Sequence, residues 1–467
     1  MANALYLQEG DSGTTVSLIT GTLKLRMGTW QMSTPDPVGE WKEQSYGPAY
    51  SFRSYGRLIE TFDLVAKDTA ANIRTGVKAI EDMLEKARLW HTRKMLKNPI
   101  WLVMQGEGES LRRSLVYGGA LRFSGIGGSS PLLEGSAVNA QLTLQRHPLW
   151  ENTSWTTYNS GVVQMLGGIH SPSSSNVGTA PGRIRQMTVG ENTGKAAKLW
   201  VGIRDYDEGP PDKLLWEIEH GTMNDTTYTG TGSESGASPY GSSLYNKRTV
   251  IYSAADTANI KRITITVLQG LNGYLNYAGM VGRYLVLMRA KVPSGTTVVF
   301  QLRAGYYGET DAAHRIVNTV YYAGTGSAYR LIELGKFSIP ISRYDGGTNE
   351  IETTELQLWM QRVGGTGNVD LDAFVLIPAE HMVCIDTSTA TIPYTTYWIN
   401  VFPDEQVIVK SSIPTVMSIP VFSSQDFYWP TKGTVIGVAA ERLAGSILND
   451  SVTVVSYVYP RWLSYRV

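Results

Sequence analysis

The chain of 467 residues has a single cysteine, Cys384, and this scarcity excludes an internal disulfide framework. Nothing in the sequence therefore requires an oxidising compartment. No apolar run approaches the roughly 20 residues that a membrane-spanning helix needs. The start, MANALYLQEGDSG, has neither the basic stretch nor the apolar stretch of a secretory signal. We expect a soluble protein that is made in a cytoplasm and has no membrane span.

The chain also lacks net charge. Lys plus Arg and Asp plus Glu each number 41, so the formal net charge is zero. Nucleic-acid binding through phosphate groups depends on a basic surface that releases counterions. The balance predicts that nucleic acid is not a partner of this chain.

Residue sets for metal or catalytic chemistry are missing as well. The histidines stand singly, and they are His91, His147, His170, His220, His314 and His381. No H-x-x-H or H-E-x-x-H pair sets two of them on one face, so no zinc ligand set is visible. No G-x-S-x-G elbow supplies a hydrolase serine. We predict no catalytic residues, no cofactor site and no metal site, and we predict that the chain is not an enzyme.

Two short patterns are too incomplete to predict a ligand site. The segment GENTGKAA (190–197) is shorter than a full phosphate-binding loop, and Ala196 stands where a magnesium-binding hydroxyl belongs. A turn between two strands is the better interpretation. Cys384 lies near His381 and Met382, but so small a set of soft ligands favours a plain thiol over a metal site.

Two acidic groupings leave alternatives open. In RDYDEGPPD, Asp205, Asp207 and Glu208 resemble half of a calcium loop, but a downstream acidic ligand is missing. A solvated turn stopped by proline is the simpler interpretation. Asp370 and Asp372 in VDLDAFVLIP lie two apart, so both point to one face of a strand. They would suit a metal or an acid–base couple, but a polar face of an edge strand is more common.

Among the features that are present, one helix within β sequence is the most informative. Between Asp68 and His91, the apolar residues at steps of three or four are Ile73, Val77, Ile80, Leu84 and Ala87. This spacing predicts an amphipathic helix over 69–93. Asp68 or Thr69 is expected to accept a backbone N–H at its start, and Asn98-Pro99 disfavours continuation.

Around the helix, most of the chain alternates with period two, which predicts a mainly β protein. Residues 1–150 are expected to form a β-sandwich or barrel crossed by the helix. Residues 151–182, rich in Ser, Thr, Asn and Gly, are interpreted as a linker or arm. Residues 183–385 predict a jelly-roll-like sandwich with a surface or disordered loop at 221–247. Residues 386–467 predict a further β block.

Aromatic residues are abundant, with 26 Tyr and 12 Trp. Those at predicted element ends and in loops include Trp155, Trp200, Tyr206, Trp216, Tyr228, Tyr240, Tyr245, Tyr306 and Tyr307, together with the run Phe427-Tyr428-Trp429. Tyr and Trp suit protein interfaces and sugar stacking because they combine apolar area with a polar group. The alternative is that many of these rings fill sandwich cores.

The order strand pair, long helix, NPIWLVMQ, SLVYGGALRF and VNAQLTLQRHPLW resembles the N-terminal domain of distal tail and baseplate proteins of long-tailed bacteriophages. The second block is similar to the galectin-like or carbohydrate-binding-module-like sandwich often appended to such proteins, through GRYLVLMRAKV, YRLIELGKFSIP and VDLDAFVLIPAE. The ending SVTVVSYVYPRWLSYRV also resembles chain ends of such phage proteins. The resemblance covers most of the chain as a pattern of strands rather than a sharp motif.

The resemblance implies a structural virion protein of the tail tip, made in the host cytoplasm. Six copies would form a ring that joins the tail tube protein to the baseplate hub protein, with the sandwich domains projecting outward. The alternative is a carbohydrate-binding receptor-recognition protein whose sandwich binds a host surface glycan, and a glycan-cleaving enzyme is third. A ring implies a hexamer, whereas receptor-binding proteins are commonly trimers.

Overall fold

The computed structural model describes most of the chain. The described residues are 4–26, 33–35, 37–44, 47–93, 97–124, 138–164, 166–170, 178–191, 196–206, 214–218, 221–224, 229–233, 246–250, 258–266, 280–326, 328–339, 343–344, 351–352, 354–386, 396–404, 407–411, 421–423, 427–430, 433–442 and 451–463.

These residues form one long α-helix and 33 β-strands, numbered in chain order. The first elements are β1 Ala4–Glu9, β2 Thr15–Ser17, β3 Lys24–Leu25, β4 Pro37–Gln44, β5 Gly47–Tyr55, β6 Leu58–Ala66, α1 Ala70–Thr92, β7 Ile100–Gln105, β8 Arg112–Ser124, β9 Val138–Arg146 and β10 Trp150–Asn152. Next come β11 Thr156–Gln164, β12 Leu166–His170, β13 Ala180–Glu191, β14 Ala196–Tyr206, β15 Leu215–Glu217, β16 Thr222–Met223, β17 Thr229–Ser233, β18 Asn246–Val250, β19 Ile260–Thr266, β20 Gly282–Lys291 and β21 Thr297–Tyr306. The last are β22 Arg315–Ala323, β23 Arg330–Ile339, β24 Arg343–Tyr344, β25 Ile351–Glu352, β26 Thr354–Gly364, β27 Val369–Pro378, β28 His381–Asp386, β29 Thr396–Val401, β30 Val407–Ser411, β31 Val421–Ser423, β32 Gly433–Arg442 and β33 Ser451–Trp462. The mainly β fold predicted from the period-two alternation is confirmed.

The helix α1 matches its prediction to within a residue at each end. The Thr69 hydroxyl accepts the Asn72 N–H at 3.3 Å, and the Asp68 carboxylate accepts the Thr69 N–H at 2.6 Å. The five predicted apolar residues are buried, and Met83 and Trp90 extend the buried face. This face packs onto β1, β7 and β8, so the helix closes one side of a sheet.

Contacts within the chain divide it into two compact units. Unit 1 comprises Met1–Thr156, Val177–Arg183 and Val458–Val467. Unit 2 comprises Thr157–Asn176 and Ile184–Tyr457. This division differs from the boundaries at residues 150, 182 and 385 inferred from the sequence, because strands distant in the chain pair with one another.

In unit 1, antiparallel strands run in the order β2-β1-β7-β8-β9-β6-β3. The long strand β8 pairs with β7 through its first half and with β9 through its second half. The buried side of this sheet and α1 share one core, whose members include Leu7, Phe62, Ile80, Leu102 and Leu142.

In unit 2, two antiparallel sheets enclose a second core. The first sheet has the order β17-β18-β27-β20-β23, and the second has the order β16-β19-β26-β21-β22. The core between them includes Trp216, Tyr284, Phe300, Leu358 and Phe374. This arrangement is a β-sandwich, as predicted for the middle of the chain.

A third sheet of unit 2, β12-β32-β14-β28-β31, contacts β27 from its other side. All ten residues of β27 are therefore buried. The close approach needs glycine in β14, since a Cβ on Gly202 would lie 2.0 Å from the Pro378 carbonyl oxygen.

Two segments expected to lack regular structure contain strands. The predicted linker at 151–182 includes β11 and β12, and the predicted loop at 221–247 includes β16 and β17. Polar, glycine-rich sequence has little strand propensity of its own, so pairing with distant strands decides its conformation. The remaining residues of 221–247 lie partly outside the described residues.

Candidate functional site

The second sheet of the sandwich presents a face of polar and aromatic side chains away from the core. Cross-strand register sets Thr319, Gln301, Trp359 and Lys261 in one row over β22, β21, β26 and β19. Their neighbours along β21 and β26, such as Phe300 and Leu358, point into the core. Since side chains alternate along a strand, this row must face outward.

Two further rows complete this surface, which we call the polar face. One row aligns Ile316, Arg303 and Gln357, and the other aligns Tyr321, Val299 and Gln361. The polar face is defined by these two rows and the central row of Thr319, Gln301, Trp359 and Lys261, together with Asp311 of the loop after β21.

A chain of hydrogen bonds holds the floor of the polar face. Lys261 Nζ lies 2.6 Å from Asp311 Oδ1, and Gln357 Nε2 donates to the same oxygen at 2.9 Å. The hydrogen bond from Lys261 lowers the pKa of Asp311. Trp359 Nε1 donates to Gln357 Oε1 at 3.0 Å, which fixes the indole ring along the strand. Hydrogen bonds within the protein therefore hold the floor in one arrangement.

His314 holds in place the loop after β21, which borders this face. Its Nε2 lies 3.0 Å from Glu355 Oε1, and its Nδ1 lies 3.1 Å from the Thr310 carbonyl oxygen. The ring covers Gly305, where a Cβ would lie 2.7 Å from the imidazole. His314 is buried, so its role is to position the loop.

Arg303 and Trp359 form the most distinctive contact of the polar face. The guanidinium carbon lies 3.9 Å from the centroid of the indole ring, a cation–π distance. Arg303 Nε donates to Gln301 Oε1 at 2.8 Å, and Gln301 Nε2 donates to Thr319 Oγ1 at 3.3 Å. No carboxylate within the described part of the chain pairs with Arg303. The cation is oriented by Gln301 and Trp359, and among the described residues it has no carboxylate partner.

Exposed apolar and aromatic side chains lie on the polar face and beside it. Tyr321 is 74% exposed and Ile316 is 57% exposed, and both lie on β22. Tyr307, 64% exposed, follows β21. Partly exposed rings beside fixed amide and guanidinium groups can stack on a sugar ring and hydrogen-bond its hydroxyls.

The acidic pair Asp370 and Asp372 lies in β27, not on an edge strand, so that part of the expectation is wrong. Asp370 accepts the Thr249 hydroxyl at 2.6 Å and lies 3.7 Å from Lys291 Nζ. Asp372 lies 2.5 Å from Arg289 Nη1, at a break in the register between β27 and β20. Each carboxylate serves a different cross-strand contact.

The other predicted ligand patterns are separated by the fold. Cys384 lies on β28, where burial, Glu333 and Asp386 raise the pKa of the thiol to about 12. Asp205 lies near the end of β14, in the part that pairs with β32. Asp207 and Glu208 lie outside the described residues. Among the described residues, no His, Cys, Asp and Glu side chains group as metal ligands.

The segment 190–197 spans the end of β13 and the start of β14, and its residues 192–195 lie outside the described residues. No described helix has the length and apolar character of a membrane span.

Four of the aromatic residues noted in the sequence are buried, and Phe427 is one of them. Trp200, Trp216 and Trp429 are fully buried, and Trp429 stacks on Tyr158 at 4.7 Å. Tyr428 lies 4.1 Å from His381, while Tyr228, Tyr240 and Tyr245 fall outside the described residues.

Sequence reasoning missed Arg303, Gln301, Trp359 and Gln357, although a signal was present. In FQLR (300–303) and LQLWMQ (356–361), apolar residues alternate with polar or aromatic ones. This alternation predicts one outward face on both strands, but only the register between the strands shows that the two faces join.

No protein-family model and no curated protein sequence matches the chain. Among solved structures, the chain is similar to the Dit protein of phage SPP1, described as a paradigm of the hub adsorption apparatus in phages that infect Gram-positive bacteria. The TM-score is 0.26 and the identity 10%, over 80% of this chain and 99% of that chain. The activated baseplate of phage p2 with strontium gives a TM-score of 0.24 and 10% identity, over 79% of this chain and 97% of that chain. Likeness at such scores establishes neither a common fold nor a common function.

Proposed function

We propose that this chain is a structural component of the tail tip of a long-tailed bacteriophage. The observation that supports the proposal is the order of elements in unit 1. The segments whose sequence resembles tail and baseplate proteins are β7, β8 and β9, which follow the long helix α1. They pair as neighbours in one sheet, and α1 packs on β7 and β8 of that sheet.

The finer proposal is a hexameric ring that joins the tail tube protein to the baseplate hub protein. The hairpin of β4 and β5 supports it, since these strands pair with each other and with no other described strand. An isolated two-stranded hairpin is marginally stable, so it gains from a neighbour. A closed ring supplies that neighbour and removes the free strand edges.

Symmetry tests this proposal. We expect electron cryomicroscopy of the assembled particle to place the chain in a sixfold ring at the tail tip, with unit 1 forming the contacts between copies. The purified full-length chain, measured by native mass spectrometry, is expected to form a hexamer. A trimer whose contacts lie in the sandwich would overturn the ring and favour receptor recognition.

A second candidate function, binding of a host surface glycan, rests on the polar face. The polar face has a hydrogen-bonded floor, exposed tyrosines and an oriented arginine with no carboxylate partner in the described part of the chain. These features match the needs of a hydroxyl-rich ligand. This function is compatible with the ring, since a tail-tip protein can also contact the host.

Titration of the full-length chain with polysaccharide from host cell walls tests the second candidate. Arg303→Met is expected to weaken binding, whereas Arg122→Met, which changes an exposed arginine of unit 1, is expected to leave it unchanged. Equal affinity of both variants and the unmodified chain would remove the polar face as the glycan site.

A further inference from the structure

A carboxylate lies buried in unit 1 among three arginines. Glu151 Oε1 accepts Arg113 Nε at 3.0 Å and Arg183 Nη2 at 2.7 Å. Arg183 Nε also donates to Glu151 Oε2 at 2.8 Å, and Arg461 Nε lies 3.8 Å from that oxygen. All four residues are nearly inaccessible to solvent, which makes this cluster an ionic core within a β unit.

Aromatic rings complete the cluster. Arg113 lies 4.2 Å from the Trp101 ring and 4.8 Å from the Tyr459 ring, and Arg183 lies 4.6 Å from the same Tyr459 ring. Tyr459 therefore lies between two guanidinium groups. Burial alone would raise the pKa of Glu151, but the charges of Arg183 and Arg113 outweigh it and lower the pKa to about 2. The carboxylate is ionised at any physiological pH.

The last residues of β33 supply much of this cluster. Trp462 pairs with Trp150 and Arg461 pairs with Glu151 across β33 and β10. The backbone of Arg461 also lies so close to Gly178 that a Cβ there would be 2.0 Å from its carbonyl oxygen. The segment Val458–Trp462 is thus fitted into a slot of unit 1 that β10 and Gly178 help to form.

Arg112 extends the slot on the neighbouring strand β8. Its guanidinium lies 4.2 Å from the Trp462 ring. Leu463 N–H donates to the Thr179 hydroxyl at 3.2 Å, so the contacts continue beyond the strand. Arginine, aromatic and backbone contacts all converge on the same short C-terminal segment.

We propose that unit 1 contains a strand-binding slot whose occupant is the C-terminal segment Val458–Trp462 of this chain, and that docking of this segment converts unit 1 into its finished form. Until it docks, Arg113 and Arg183 keep their hydrogen bonds to Glu151 but lack the Tyr459 ring. Arg112 lacks the Trp462 ring, and β10 lacks its partner strand β33. Without these rings and this strand, water reaches the buried charges and one edge of β10 is unpaired, so the undocked unit must stay loosened around β8 and β10. The segment Val458–Trp462 is therefore a conformational lock of unit 1.

Hydrogen exchange of the full-length chain tests the lock, with the double variant Tyr459→Leu/Arg461→Met. We expect exchange to accelerate by about a hundredfold at amides of β7, β8 and β10, far in sequence from the changes. The sandwich strands β21 and β26 of unit 2 are expected to keep their protection. Arg122→Met serves as the control because it removes an exposed arginine from the same unit.

Exchange that accelerates only within 451–463 would overturn the lock, as would equal loosening of unit 2. If the double variant does not accumulate as folded protein, the single variant Tyr459→Leu, which keeps Arg461 beside Glu151, is measured in its place. The proposal requires exchange in that variant to accelerate at β7, β8 and β10 as well, because Arg113 and Arg183 lose the ring that both contact. Unchanged exchange at those strands, or failure of this variant to fold, would overturn the proposal.

Discussion

Unit 1 and unit 2 each place an arginine against a tryptophan, with opposite outcomes. In unit 1, Arg113 lies 4.2 Å from the Trp101 ring, is buried and is paired with Glu151. In unit 2, Arg303 lies 3.9 Å from the Trp359 ring, is partly exposed and has no carboxylate partner among the described residues. The same pair of residue types stabilises a core in one place and forms a candidate recognition surface in the other.

The difference follows from the cost of burial. A charged group removed from water must be matched by an opposite charge and by hydrogen bonds. Its hydrogen-bond donors are then used within the protein and are not available to a ligand. A charge near the surface can stay unmatched at little cost, so its donors remain available. Burial, rather than residue type, separates the two roles.

The largest effect is expected at Glu151. Glu151→Ala leaves three buried arginines without their shared carboxylate, and we expect it to destabilise unit 1 by about 3–5 kcal/mol. Denaturant unfolding followed by hydrogen exchange at β7 measures the change. Glu85→Ala, which breaks an exposed pair with Arg88, is the matched control and is expected to leave unfolding unchanged. Similar behaviour of both variants would contradict the assignment of Glu151 to a stabilising core.

The contribution of Glu151 to the stability of unit 1 is expected to depend on pH. The pKa of Glu151 is lowered from 4.5 to about 2, so its contribution to stability is full above pH 4.5 and is lost as the pH falls toward 2. This shift corresponds to about 3 kcal/mol. We expect the stability difference between the unmodified chain and Glu151→Gln to shrink over that window. A difference that stays constant from pH 5 to about 2 would show that the carboxylate charge is not the source.

A smaller effect is expected at Asp372, which pairs with one arginine instead of three. Asp372→Asn should destabilise unit 2 by about 2 kcal/mol, because Arg289 loses its carboxylate in a buried strand.

Since the chain is predicted not to be an enzyme, Asp370→Asn and Asp372→Asn should both leave any particle-associated glycan cleavage unchanged. Loss of cleavage with the fold intact would establish a catalytic role for this pair.

At the polar face, Trp359→Ala is expected to lower glycan affinity about tenfold, because it removes both the ring and the platform that orients Arg303. Isothermal titration with host polysaccharide gives the affinity. Trp155→Ala provides the control, since Trp155 is a tryptophan of unit 1 that is 44% exposed. If both variants bind alike, the polar face is not the recognition surface.

The smallest effect is expected at the helix start. Thr69→Ala removes the hydroxyl that accepts the Asn72 N–H, and we expect a loss of about 1 kcal/mol in the stability of unit 1. Thr75→Ala is the control, since the Thr75 hydroxyl bonds back to the Ala71 carbonyl within the helix and should cost nothing. Thermal unfolding of the two variants distinguishes the cap from an ordinary exposed threonine.

Local features were predictable from the sequence and long-range features were not. The helix followed from the spacing of its apolar residues, and its cap followed from Asp68 and Thr69. The cluster around Glu151 was invisible, because Arg113, Arg183 and Arg461 come from three distant segments. Asp370 and Asp372 show the same limit, since two residues in an alternating strand do not reveal a third sheet behind it. The polar face was predictable only in part. The outward side of each strand follows from its alternating sequence, but the joining of the strands into one surface does not.

The slot for Val458–Trp462 has a consequence for when unit 1 can finish folding during synthesis. Arg461 leaves the ribosome about 310 residues after Glu151. At the usual pace of protein synthesis, that interval lasts about 15–60 s. Throughout this interval, unit 1 lacks the segment Val458–Trp462. Unit 1 of a nascent chain therefore cannot reach its finished form before unit 2 has been synthesised. Translation itself would then set the moment at which unit 1 can reach its finished form.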